Sequence, residues 1–311
     1  MLNLYPTDFY YEIKSSYTII RGKDGIKHLE RVLTTKIENI EFGNKHESLL
    51  CDLNGRVIDL LTIYIIKNEL LIVGNSIKGD EVRRILSTGI PWNEDIIVLN
   101  ADESIRKVIL SGDKINRIFK NIYDSILKLK DFDWLESGDN IISTNNRHKI
   151  TSIEILMPKN EMNIIKEKLI ENKFKMINEK EWNKFRIDVG IINHKEIDNR
   201  IPFNVGMKEL VKMDKGCYPG QEIHARLESR GKLTKTLVRL SCQNFLKEGE
   251  YKIDGGGKII ITTAYDGKGN KSKFLGIIPI KYVEMDKIVL TNGIEMVIEE
   301  VVSFQSLNFH R

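Results

Sequence analysis

Cysteine is scarce in this 311-residue chain: Cys51, Cys217 and Cys242 are all it has. They are too few and too dispersed for a disulfide framework or a C-x-x-C metal site. That points to a reducing compartment and argues against a permanently bound metal cluster. The six histidines form no H-x-x-x-H pair and no His/Cys cluster, so no metal site is expected. No charge of one sign dominates, since 48 Lys plus Arg against 44 Asp plus Glu leaves +4. Nucleic acid is therefore not expected as a partner, whereas a small anionic ligand remains open. No segment approaches the roughly 20 apolar residues that span a bilayer, so no membrane is expected either. The opening MLNLYPTDFYYEIK has no basic region or long apolar run, and Asp8 and Glu12 argue against a transit peptide. The chain reads as a cytoplasmic globular protein, and with 41% hydrophobic residues it can fill the cores of two or three domains.

What is present alternates between strand and helix patterns. YTIIR at 17–21 reads as a strand, Gly22 to Gly25 as a turn and Ile26 to Leu33 as a helix. SLLCDL, the Asn54-Gly55 turn, RVIDLLTIYII, the Lys67-Asn68 turn and ELLIVG read as a β-meander. Gly79 to Leu86 follows as a helix, Asp95 to Leu99 and 102–110 as strands, and 113–130 as a further helix. After the polar SGDNIISTNNRHK, TSIEILMP is a strand leading into an amphipathic helix, Asn160 to Asn172. Beyond Gly231 the texture changes to short strands broken by glycines, which predicts a small C-terminal β-barrel. The fold class expected is α+β, with residues 1–230 as one domain of two sub-lobes around a central cavity and 231–311 as the barrel.

The stretch KGCYPGQEIHAR, Lys215 to Arg226, places a thiol in a glycine-bounded turn just before a helix running from Gly220 to Arg230. Ile223 and Leu227 recur four apart on its apolar side, and Gly231 stops it. Cys217 thus stands beside the unpaired N–H groups of a helix start, with Lys215 nearby, which is the setting of a reactive cysteine; the alternative is a small buried hydrophobe. His224, two turns along, suggests only a weak Cys–His pair.

K-G-C-Y-x-G-Q-E followed by A-R and R-G resembles the signature of YgfZ-type folate-binding proteins, relatives of the glycine-cleavage T-protein (aminomethyltransferase). RGKDGIKHLERVLTTKIENI, DLNGRVIDLLTIY, TSIEILMP, WNKFRIDVG and RIPFNVGM resemble further elements of that family in order. The resemblance implies tetrahydrofolate as ligand and a role in assembling or repairing iron–sulfur clusters, with client or assembly proteins as partners. It places Asp59 at the catalytic position of the T-protein, though Leu60 stands where a second acid is usual. It also places Glu154 where such folds grip the pterin, and a carboxylate suits the paired N–H donors of that ring. Trp182 stands where the YgfZ-type branch also has Trp, and it can stack on a pterin or aminobenzoyl ring. Arg186 and Lys215 complete the implied folate contacts, although stabilising a neighbouring acid is the more common fate of an Arg among apolar neighbours such as Arg186 has. Cys217 and Asp59 are the implied catalytic residues. The alternatives are a folate-dependent aminomethyl- or methyltransferase and a folate-independent interaction module.

Overall fold

The computed structural model describes residues 8–304 apart from 39, 68, 113, 116–133, 146–151 and 232. Contacts divide the chain into two compact units. One comprises Met1–Leu50, Asp59–Asn178 and Lys215–Tyr218; the other comprises Cys51–Ile58, Glu179–Asp214 and Pro219–Arg311. The C-terminal unit therefore starts well before residue 231 and takes in an early hairpin tip.

The first unit holds two sheets. A five-stranded sheet has the order β3-β4-β5-β2-β6, from β2 (Ser15–Arg21), β3 (Lys45–Cys51), β4 (Val57–Ile66), β5 (Glu69–Asn75) and β6 (Ile97–Asn100). The meander is thus present, and its β4 alternates between buried and partly exposed positions as a half-buried sheet requires. Helices α1 (Gly25–Val32) and α2 (Gly79–Leu86) flank it in sequence where the apolar spacing placed them. A six-stranded sheet has the order β11-β1-β7-β10-β9-β8. Its strands are β1 (Asp8–Ile13), β7 (Ile105–Gly112), β8 (Trp134–Ser137), β9 (Asn140–Asn145), β10 (Ser152–Pro158) and the two-residue β11 (Lys175–Met176). The helix expected over 113–130 lies almost wholly outside the described residues.

Strand periodicity sends the side chains of this second sheet to opposite faces. On one face Tyr10, Val108, Leu110, Ile142, Ile153, Ile155 and Met157 pack with Met162, Ile165 and Leu169 of α3 (Met162–Glu171). On the other, Leu156, Ile141 and Trp134 meet Tyr17, Tyr64, Leu71 and Val73 of the five-stranded sheet. Glu154 shares the face of Leu156, so its carboxylate belongs to the layer between the sheets.

The second unit is built on a six-stranded antiparallel sheet, β13-β14-β15-β12-β17-β16. These are β12 (Lys235–Cys242), β13 (Gly249–Lys252), β14 (Lys258–Tyr265), β15 (Ser272–Pro279), β16 (Lys287–Val289) and β17 (Glu295–Val301). Its two edge strands are joined only just past their ends, by an Ile253–Leu290 bridge. Asp254 N donates to Val289 O at 2.8 Å and Thr291 N to Lys252 O at 3.0 Å. The expected barrel is therefore a sheet curled until its edges meet at one bridge. Helices α4 (Glu179–Val189), α5 (His194–Ile197) and α6 (Gln221–Arg230) belong to this unit, with α4 packed on β14 and β15. No helix among the described residues is long and apolar enough to cross a membrane.

Candidate functional site

The inter-sheet layer of the first unit carries an unusual set of polar groups. Glu154 is 9% exposed, and its Oε2 lies 3.0 Å from Lys107 Nζ and 4.0 Å from Lys45 Nζ. Sheet pairing brings these together: Glu154 is opposite Ile109 on β7, two residues from Lys107, and opposite Ser143 on β9. Lys45, at the start of β3, also donates to Thr144 O at 3.3 Å. The Tyr64 and Ser143 hydroxyls are buried beside one another and make no well-formed hydrogen bond among the described residues. Burial, reinforced by the Glu154 charge, holds the Tyr64 phenol well above its usual pKa, so it stays a neutral donor. The edge of Trp134 meets Tyr64 at a centroid distance of 6.1 Å, closing the layer with aromatic surface. Buried hydroxyls that lack a well-formed hydrogen bond are costly, and here a neighbouring pair of them accompanies a buried carboxylate with two ammonium groups. The constellation sets donors and acceptors side by side in a nearly buried layer.

Asp59 on β4 is 1% exposed. Its carboxylate accepts from Leu60 N at 2.9 Å and Asn75 N at 2.7 Å, tying β4 to the end of β5. Gly74 leaves room for it, since a Cβ there would sit 2.6 Å from Asp59 Oδ2. The carboxylate at the implied catalytic position is thus engaged with backbone.

The cysteine motif is held on both sides of the thiol. Lys215 extends away into the C-terminal end of α1, where its ammonium donates to the carbonyls of Glu30 (2.7 Å), Leu33 (2.7 Å) and Thr35 (2.8 Å). The Glu30 carboxylate lies 3.2 Å from the same ammonium. This is a cation at a helix C-terminus satisfying carbonyls the helix leaves open. Burial pulls the Lys215 pKa down while the Glu30 hydrogen bond pulls it back up. Tyr218 is buried, with the Lys215 ammonium 5.7 Å from its ring centre. Between these anchors Gly216 and Cys217 are exposed, while Cys51 and Cys242 are buried.

Downstream, in the second unit, Gly220 adopts φ +81° and opens α6 as predicted, and Gly231 ends it at φ +66°. A Cβ at Gly220 would lie 2.4 Å from the Cα of Gly55, so the Asn54-Gly55 turn and the start of α6 touch backbone to backbone. His224 is fully buried and its Nε2–H donates to Gly55 O at 2.8 Å. Burial lowers its pKa and keeps the ring neutral. His224 is thus a clamp on the hairpin tip, which corrects the weak Cys–His expectation.

The folate contacts implied for Arg186 and Lys215 do not fit their surroundings. Lys215 caps α1 and does not serve as counter-charge to the thiol. The guanidinium of Arg186 is enclosed in the second unit, donating to Ile191 O (2.8 Å), Glu196 Oε2 (2.9 Å) and Thr263 Oγ1 (3.0 Å). Glu196 is the neighbouring acid that Arg186 stabilises. Burial works to raise the Glu196 pKa, but the Arg186 charge and hydrogen bonds from Thr263 and Asn193 outweigh it, leaving the carboxyl below its ordinary value. Trp182 is 7% exposed and stacks on Phe185 at 5.7 Å, so one ring face serves its own unit's core. Lys45, Lys107, Tyr64 and Ser143 escaped the sequence reading, because only strand register places them beside Glu154. No group of three His, Cys, Asp or Glu among the described residues is arranged to hold a metal.

No protein-family model matches the chain. It is 22% identical over 298 residues to an aminomethyltransferase of Caldanaerobacter subterraneus, covering 90% of this chain and 78% of that protein. It is 22% identical over 228 residues to the tRNA-modifying protein YgfZ of Hamiltonella defensa, covering 71% and 66%. A shorter match, 28% over 128 residues, covers 40% of this chain and 30% of a mitochondrial iron–sulfur cluster assembly factor homologue of Dictyostelium discoideum. Among solved structures, the glycine cleavage system aminomethyltransferase T of Bartonella henselae superposes with a TM-score of 0.81 at 16% identity, covering 94% of this chain and 85% of that one. The chain has the fold of the glycine-cleavage T-protein, and its sequence is similar to YgfZ-type proteins and to aminomethyltransferases alike.

Proposed function

We propose that this protein binds tetrahydrofolate and assists the assembly or repair of iron–sulfur clusters in client enzymes, with Cys217 as its working thiol. The observation that carries this is the presentation of Cys217, an exposed thiol on a short loop whose neighbours Lys215 and Tyr218 are both buried. A cysteine needed only for packing is not displayed between two anchors. Tetrahydrofolate enters through Glu154, whose carboxylate suits the paired N–H donors of a pterin, with Tyr64 and Ser143 supplying hydroxyls in the same layer.

Similarity to aminomethyltransferases over 90% of the chain favours a second reading, transfer of a one-carbon unit onto tetrahydrofolate. Two features weigh against it. Leu60 stands in place of a second acid, and the Asp59 carboxylate is engaged with two backbone amides. The test is anaerobic calorimetric titration of tetrahydrofolate into wild type and Glu154→Ala. Binding that the variant weakens at least tenfold, about 1.4 kcal/mol, supports the folate site. Well-folded wild type that does not bind refutes it. Aminomethyl transfer by the folate-loaded protein decides for the second reading.

A further inference from the structure

Glu154 does not stand alone, and its companions define what it can accept. Lys107 Nζ sits 3.0 Å from Glu154 Oε2, so the site presents an ammonium donor directly beside two carboxylate acceptors. Lys45, 4.0 Å from the same oxygen, adds a second positive charge. Among the described residues the carboxylate and its two lysines sum to +1. The side chains of Lys45, Lys107 and Glu154 are only 2%, 11% and 11% exposed, so water does little to screen that charge. A bare carboxylate would favour a ligand edge made only of donors. A donor beside two acceptors instead favours an edge that reads acceptor, donor, donor.

Resting on the folate reading above, we infer that Lys107 makes this a site selective for 4-oxo over 4-amino pterins. The 4-oxo ring offers its C4 oxygen, the N3–H and the 2-amino group in a row, matching the ammonium and the two carboxylate oxygens in order. Replacing the oxygen with an amino group sets a donor against the Lys107 ammonium and takes the proton from N3, leaving a lone pair facing Glu154. Both mismatches set like against like beside charged, nearly buried groups, a costly situation for recognition. The neighbouring hydroxyls of Tyr64 and Ser143, in the same layer, make no well-formed hydrogen bond and add polar atoms to it.

The test is calorimetric titration, under anaerobic conditions, of tetrahydrofolate and its fully reduced 4-amino counterpart into wild type, Lys107→Gln and Lys107→Arg. Wild type is expected to prefer the 4-oxo ligand by roughly tenfold to a hundredfold. Lys107→Gln, whose amide can donate or accept, is expected to reduce that ratio to within a few-fold. Lys107→Arg, which keeps a cationic donor, is expected to retain most of it. Wild type that binds both compounds equally overturns the inference while leaving folate binding intact, and so does an unchanged ratio in Lys107→Gln. If either variant fails to fold, the wild-type ratio alone decides. If folded wild type binds neither compound, the folate reading fails and the inference with it.

Discussion

Replacing Arg186 by Met separates a structural guanidinium from a ligand-binding one. The Arg186 and Glu196 side chains are 1% and 0% exposed, and their ion pair is 2.9 Å long. In the variant, Glu196 keeps hydrogen bonds from Thr262 (3.0 Å), Thr263 (2.6 Å) and the Asn193 amide (2.9 Å). It loses its only cationic partner among those bonds, and Ile191 O loses its donor at the same time. Breaking one side of a buried pair costs about 3–5 kcal/mol, because a charge is left behind without compensation. With a urea m-value of about 2 kcal/mol/M, the unfolding midpoint is expected to fall by about 2 M. That is a large share of the roughly 5–15 kcal/mol that holds a typical protein together.

Urea unfolding followed by circular dichroism measures the loss, and tetrahydrofolate titration of the still-folded variant measures the ligand side. The expected pattern is a large fall in stability with affinity per folded molecule within about two-fold of wild type. The double variant Arg186→Met with Glu196→Gln is expected to recover part of the stability, since it removes the stranded charge. An Arg186→Met protein with near-native stability and abolished folate binding would refute the reasoning and return Arg186 to the ligand.

Three further expectations follow from the same geometry. Cys217→Ser leaves stability within about 0.5 kcal/mol but removes iron–sulfur client activation; native wild type takes one alkyl group, at Cys217, before the buried Cys51 and Cys242 react, as mass spectrometry will read. Gly220→Ala places a Cβ 2.4 Å from the Gly55 backbone at φ +81°, at a cost of about 2–4 kcal/mol and a fall in Tm of about 5–12 °C. His46 is pushed down to about 4 by burial and the Lys215 charge, against the opposing pull of Glu30. Because its folded pKa lies below its unfolded value near 6.5, its contribution is complete above pH 6.5 and lost progressively as pH falls toward 4. After allowance for its partial exposure this is about 2 kcal/mol, and His46→Gln should flatten that limb of a stability-versus-pH curve.

The elements legible in the sequence were those whose periodicity reports their own burial. Strand β4 alternates between buried and partly exposed positions from Val57 to Ile63, the Asn54-Gly55 turn is where hairpin chemistry requires it, and α2 spans the Gly79–Leu86 predicted for it. The hairpin β8–β9 was hidden because its apolar pattern is interrupted by Ser143 and Thr144. Ser143 is polar on a buried face, and that face borders Glu154. A strand beside a polar site breaks the rule by which strands are recognised, so the disagreement between pattern and structure itself marks the site. Lys107 and Lys45 were illegible for a different reason. Nothing local distinguishes them from solvated lysines, and only the register of β7 on β10 and the placement of β3 turn them toward one carboxylate.

The cysteine motif shows why a short signature can be specific without being mainly catalytic. Lys215 is required by the open carbonyls of α1, and Tyr218 by the core of the first unit. Gly220 is required by a positive φ and by Gly55, and His224 by the Gly55 carbonyl. Each of these demands a residue type for a structural reason, and together they account for four of the ten residues of KGCYPGQEIH. On the loop between Lys215 and Tyr218 that leaves Gly216, where a Cβ would meet nothing within 4 Å, and Cys217, whose side chain is exposed and meets no such structural demand. If the thiol were dispensable, the fold would still require its neighbours and the signature would survive with any small residue in its place. Testing Cys217→Ser and Cys217→Ala for client activation therefore asks about chemistry alone, because the loop that carries them is fixed by everything around it.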